Sequence, residues 1–129
     1  IETNDNALGN LNIANERGAV ISEKMEDKKD KVAEALDVEV NVADIAGIKN
    51  PGGCAEANSN GVLLHREADE EDAEKVMNAL DVDDADIGTV DMGSPYIGSG
   101  LLATDTAVLT GENTTGPEVG RIDRTLMQE

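Results

Sequence analysis

The sequence predicts an α+β fold made of three copies of one ββ-turn-βα unit of about 44 residues. Three observations carry that prediction. A small-polar turn running into an apolar stretch recurs as ANERGAVIS (14–22), ANSNGVLLH (57–65) and ATDTAVLTG (103–111), at offsets of 43 and 46 residues. Each stretch leads into a segment with apolar residues at helical spacing. The first two helical segments then run into a strand pattern and a bend containing Gly or Pro. A unit of this size cannot bury its own apolar face, so the repeats call for an array or a ring. The expected units are 1–37, 38–80 and 81–129 within one domain, and the first lacks most of a leading strand that would lie before Ile1.

Taken in order, EKMEDKKDKVAEALDV (23–38) reads as an amphipathic helix with Val32, Ala35 and Leu36 on its apolar stripe. VEVNV (38–42) alternates Val38, Val40 and Val42 against Glu39 and Asn41, the period of a half-buried strand. The bend DIAGIKNPGG (44–53) precedes the second hairpin, and READEEDAEKVMNALDV (66–82) is the second helix. There Ala73, Val76, Met77 and Leu80 share one face, and Glu70, Glu71, Asp72 and Glu74 largely face water. DVDDADIGTV (81–90) is a weaker strand, with Val82, Ile87 and Val90. DMGSPYIGSG (91–100) is a second bend in which no helix is expected. The last helix has the clearest start: Thr115 and Glu118 form a capping box, and Pro117 lies in the first turn, where a missing N–H costs nothing.

Composition narrows the function. Ten Lys and Arg against 28 Asp and Glu leave a formal charge of -18, and Tyr96 is the only aromatic residue. That much like charge works against a compact state unless salt screens it. An acidic surface over a lean aliphatic core is the pattern expected of a cytoplasmic protein working in concentrated salt. The charge argues against broad binding to nucleic acid, which needs a basic footprint, and favours a basic protein partner. Cys54 is the single cysteine, so no internal disulfide can form, in keeping with a reducing compartment. No apolar run approaches the length of a membrane span, and no signal peptide is visible.

Specific residues carry a resemblance. GTVDMGSPYIGSGLLATDTAVLTGENTTGPEVGRIDRTL (88–126) is similar to the C-terminal repeat of the archaeal translation initiation factor 6 family. NALGNLNIANERGAV (6–20) resembles that family's middle repeat, and DIAGIK (44–49) its fourth. The resemblance implies a pentein-type αβ propeller of five units around a pseudo-fivefold axis, of which this chain matches the last three as an arc. The chain is therefore read as an incomplete copy, with apolar edges that absent units would cover and through which it could self-associate.

The resemblance further implies a non-enzymatic factor without a cofactor. Members bind the large ribosomal subunit on its intersubunit face near the sarcin–ricin loop, contact a ribosomal protein there, and by their bulk keep the small subunit from joining. A part in large-subunit biogenesis is also implied. The family's ALGN contact loop maps onto Leu8, Gly9 and Asn10. The repeat offsets carry those positions to Pro51–Gly53 and Ile97–Ser99, giving a candidate contact rim of Leu8, Gly9, Asn10, Pro51, Tyr96 and Ile97. The same residues also have an ordinary turn role, with Gly providing positive φ and Asn10 capping a bend.

Two other functions compete with this one. Some penteins modify guanidinium groups with a Cys nucleophile and a His, and Cys54 and His65 stand at opposite ends of one hairpin. The local sequence does not resemble the nucleophile region of those enzymes. The other reading is a self-associating scaffold with no ribosomal role. DVDDADIG (81–88) lacks the ligand register of a calcium loop, and GSPYIGSG (93–100) lacks the Lys of a phosphate-binding loop, so no metal or nucleotide site is expected.

Overall fold

A computed structural model describes residues 12–48 and 51–127. Strands β1 (Asn12–Ala14) and β2 (Gly18–Ile21) form the first hairpin. A 3-10 turn (Glu23–Lys28) comes next, then α1 (Lys29–Leu36) and β3 (Glu39–Val42), which lies parallel to β2. The second sheet has the same plan. A single helical turn, α2 (Pro51–Cys54), leads into β4 (Ala55–Ala57) and β5 (Val62–Leu64), then α3 (Glu70–Leu80) and β6 (Ala85–Ile87), parallel to β5. The third consists of the turn α4 (Ile97–Gly100), β7 (Leu101–Ala103), β8 (Val108–Thr110) and α5 (Gly116–Leu126), with two strands in its sheet. Sheet membership thus runs past residues 38 and 81, where the sequence periods divide, because each strand after a helix returns to the hairpin before it.

The alternation within β2 and β5 explains how these sheets pack. Ala19 and Ile21 face Met25 and Val32 of their own unit, with Val40 of β3 in the same cluster. Val20, on the other face, is also fully buried, beside Ala79 of α3. In β5, Val62 and Leu64 pack with Val76 and Leu80 of α3, whereas Leu63 points the other way and packs with Ile122 and Leu126 of α5. Each three-stranded sheet is therefore covered on one face by its own helix and on the other by the helix of the next unit. The close approach is visible at Gly18, where a Cβ would lie 1.9 Å from the Ala79 carbonyl oxygen.

The second and third helices start as their sequences require. Thr115 and Glu118 close the expected capping box, with Pro117 in the first turn. Asp69 and Asp72 close another at α3. The first helical segment differs from expectation. Residues 23–28 wind as a 3-10 turn capped by Ser22, and the tighter winding shifts the phase of α1 behind it. Met25, Val32 and Ala33 pack inward, while Ala35 and Leu36 are exposed. The bend at 91–100 also differs: residues 97–100 form a helical turn, as do residues 51–54. No helix among the described residues is long and apolar enough to cross a membrane.

Candidate functional site

Units are joined through their hairpin turns, a function the turn sequence alone did not reveal. The Asn15 side-chain oxygen accepts the backbone N–H groups of Arg17 (2.9 Å) and Gly18 (3.0 Å) and so shapes its own turn. Its Nδ2 donates across the junction to the Asn58 carbonyl (3.2 Å) and the Leu80 carbonyl at the end of α3 (2.8 Å). Asn58 repeats the arrangement one unit on. Its oxygen accepts from Asn60 N–H (2.9 Å) and Gly61 N–H (3.2 Å), and its Nδ2 donates to the carbonyls of Thr104 (3.0 Å) and Leu126 (2.6 Å). Ser59 adds bonds from N–H and hydroxyl to Asp105, which hold that carboxyl below its ordinary range. The signal was present as ANxxG in two turns. The third turn has Thr104 at the matching place, whose hydroxyl stays local, accepting from Thr106 and Ala107 N–H.

The candidate rim residues fall in different settings. Leu8, Gly9 and Asn10 lie outside the described residues. Pro51 is buried at the start of α2, and Ile97 is fully buried in the third core cluster at the start of α4. The two turns that begin there are brought side by side: a Cβ on Gly98 would lie 1.7 Å from the Gly52 carbonyl oxygen, so only glycine permits the approach. Tyr96 is 48% exposed, and its ring stands edge-on to that of His65 at 5.4 Å between centroids. Of Pro51, Tyr96 and Ile97, Tyr96 is the one whose side chain is open to a partner.

The Cys54–His65 pair is not assembled for nucleophilic chemistry. The strand ends meet through the backbone, His65 N–H donating to the Cys54 carbonyl at 2.7 Å. The thiol is fully buried, and burial raises its pKa, which keeps it protonated and unreactive. The imidazole Nδ1 accepts from Glu67 N–H (3.1 Å), and burial pushes the ring below its ordinary pKa. The His is occupied as a cap and as a seat for Tyr96.

Two carboxylates stand out electrostatically. Glu56 lines a cavity of about 390 Å³ with residues of β1, β4 and β7, including Asn12, Ile13 and Leu102. Desolvation raises its pKa against the N–H bonds from Ala57 and Ala103 that lower it. Glu118 goes the other way. Desolvation alone would raise it, but N–H and hydroxyl donors from Thr115, Thr89 and Gly93 outweigh that and bring it down to about 2. Through those bonds the first turn of α5 grips the loop 89–93.

Apolar exposure is uneven. Leu102 and Leu109 are directly opposite each other on β7 and β8, and are 62% and 68% exposed. The positions matching Leu109 in the earlier sheets are Val20 and Leu63, both fully buried under the next unit's helix.

Comparison with known proteins gives the family. The eIF-6 family model matches residues 1–125. The chain is similar to the translation initiation factor 6 of Haloquadratum walsbyi, with 41% identity over 122 residues, covering 94% of this chain and 54% of that protein. The factors of the same name from Picrophilus torridus (38%; 94% of this chain, 56% of that protein) and Pyrococcus horikoshii (37%; 93% and 53%) are also similar. The chain spans about half the length of these curated relatives. A match that runs over nearly all of its residues, through every hairpin and helix described above, places this chain in the eIF-6 family.

Proposed function

We propose that this chain is part of a non-enzymatic translation factor that binds the large ribosomal subunit and sterically keeps the small subunit from joining. The observation that carries the reading is the family match over residues 1–125, together with relatives named translation initiation factor 6. The formal charge of -18 suits docking to a basic ribosomal protein and would speed encounter, less so in high salt. The buried, protonated thiol of Cys54 speaks against a guanidine-modifying hydrolase.

The fold belongs to this proposal too. The three units form an arc of a pentein-type propeller in which each of the first two sheets is capped by the following unit's helix. Supporting this, Val20 lies beneath α3 and Leu63 beneath α5, while Leu109 is 68% exposed and no helix among the described residues covers it. The β7–β8 face is where the helix of a further unit fits. The rim reading rests on the adjacency of α2 and α4 and on the exposed Tyr96.

Co-sedimentation with purified archaeal large subunits in concentrated potassium salt tests the function. Saturable binding that blocks small-subunit joining is the expected result, for this chain or for a version extended by the remaining units. If neither form binds, the ribosomal reading is wrong. A discrete closed oligomer in light scattering, combined with no binding, would favour the scaffold reading, with the Leu102–Leu109 face as its contact.

A further inference from the structure

We infer that the loop from Val90 to Ile97 presents Met92 and Tyr96 as a rigid apolar docking tip, and that its partner is a protein pocket ringed by Lys or Arg. The inference rests on the proposed ribosomal function and names residues of its contact surface that the family's ALGN loop does not include.

Met92 is 72% exposed, more than any other large apolar residue among those described. Its backbone is held in a left-handed run: Asp91 at φ 49, Met92 at φ 61 and Gly93 at φ 106. Two successive non-glycine residues in that region are costly, and such strain persists only where surrounding bonds impose it. The bonds are present. Val90 and Ser94 close the loop with N–H to carbonyl bonds in both directions (2.9 and 2.7 Å). Glu118 of α5 accepts from Met92 N–H at 3.0 Å and Gly93 N–H at 3.1 Å, and also from the Thr89 hydroxyl. Asp91 N–H donates to Thr114 Oγ1 at 3.1 Å. Tyr96 leaves the same loop, its N–H bonded to Ser94 Oγ and its ring braced against His65.

An open end of the arc does not explain this exposure. The helix that holds the loop, α5, is already in place. The matching loop one unit earlier makes the comparison direct: Ala46 also has a positive φ (55), and its N–H is held by Asp72 of α3 at 3.1 Å. There the residue is a small alanine that packs against the core. The later loop is one residue longer, with three residues between the bridged Val90 and Ser94 where two lie between Ile45 and Ile48, and it carries the Met92 side chain into solvent. Leu102 and Leu109, by contrast, lie on a sheet face whose counterparts are covered.

A loop whose backbone is already held suits a docking anchor, because only the Met92 side chain remains to be ordered on binding, and Met and Tyr are enriched at interface cores. The partner's charge is set by the chain's own. Asp91 is exposed beside Met92, and the formal charge is -18, so an apolar pocket with an acidic rim would be repelled.

The test measures affinity for purified archaeal large subunits in concentrated potassium salt, using the form of the factor that binds. Met92→Ser, at a solvent-exposed side chain, is expected to weaken binding about tenfold without shifting the thermal midpoint. Tyr96→Ala weakens it similarly, and Leu36→Ser, another exposed apolar side chain, leaves it unchanged. Met92→Lys is expected to be worse than Met92→Glu, because the rim is basic, and Glu118→Gln weakens binding by releasing the loop. Wild-type binding with Met92→Ser and Met92→Lys both at full affinity overturns this inference and leaves the proposed function standing. Equal loss with Lys and Glu overturns the basic rim. Absence of wild-type binding overturns the function, and this inference with it.

Discussion

Asn58→Ala removes the side chain that joins the second unit to the third, and its cost can be worked from the bonds it makes. Asn58 is 4% exposed. The substitution deletes two inter-unit bonds, to the Thr104 and Leu126 carbonyls, and two caps within the turn, from Asn60 and Gly61 N–H. A typical internal hydrogen bond contributes about 1 kcal/mol net, and a buried donor left without a partner costs about 1–3 kcal/mol. Leu126 keeps the bond from Asn60 Nδ2 at 2.8 Å, and Asn60 N–H is only half-buried, so both losses are partly made good. The two inter-unit bonds and the Gly61 N–H, which is buried, then sum to about 3 kcal/mol. For a domain of this size that corresponds to a fall of roughly 10–15 °C in Tm. Urea and thermal unfolding in concentrated potassium chloride would measure it. Asn58→Asp separates the two roles, since it keeps the turn-capping oxygen, loses both donors and places a carboxylate against two carbonyl oxygens. It should destabilise at least as much as Ala near neutral pH and recover part of the loss as the carboxyl is protonated. A change below about 1 kcal/mol for Asn58→Ala, with nothing further for Asp, would refute the view that these amides hold the units together.

The remaining predictions concern packing and pH. Gly98→Ala would place a methyl 1.7 Å from the Gly52 carbonyl oxygen and force α2 from α4, a loss of about 2–3 kcal/mol by urea unfolding; Gly116→Ala, with nothing within 4 Å, should be near neutral. Glu118 is lowered from 4.5 to about 2, so its contribution is present above pH 4.5 and lost as the pH falls through about 2. The stability difference between wild type and Glu118→Gln should therefore be constant from pH 5 to 7 and shrink progressively below pH 4.5 in urea titrations; a difference independent of pH would contradict the carboxylate's role. Glu56 has the opposite sign: its raised pKa means the native state is favoured below the ordinary carboxyl range and disfavoured as the pH rises through the folded value. Glu56→Gln should then be more stable than wild type at pH 7 and equal to it near pH 3, a comparison the same titrations provide.

Local rules made much of the fold legible. A small-polar turn running into an apolar stretch marked the hairpins, because turn chemistry acts within a few residues. Thr115, Pro117 and Glu118 announced α5, because a cap is satisfied inside its own first turn. Helix phase was less secure. Leu36 looked like part of the stripe and is exposed, whereas Ala79 was not singled out and is buried against β2, in contact with a different unit. The helical turns α2 and α4 were unreadable, since PGGC and IGSG have neither the length nor the spacing to show a period.

The sequence by itself carried the recurring turn and apolar stretch, the cap of α5 and the acidic, nearly aromatic-free composition, and its motifs pointed to the family. Tertiary structure decided which faces each unit hides and which side chains cross the junctions. An apolar residue on an alternating strand is equally apolar whichever neighbour covers it, so Leu63 and Leu109 read alike, yet one is fully buried and the other 68% exposed. Likewise an amide in a turn serves its own turn by local geometry. That Asn58 Nδ2 also reaches carbonyls 46 and 68 residues away depends on how the units are set against one another, and only packing fixes that.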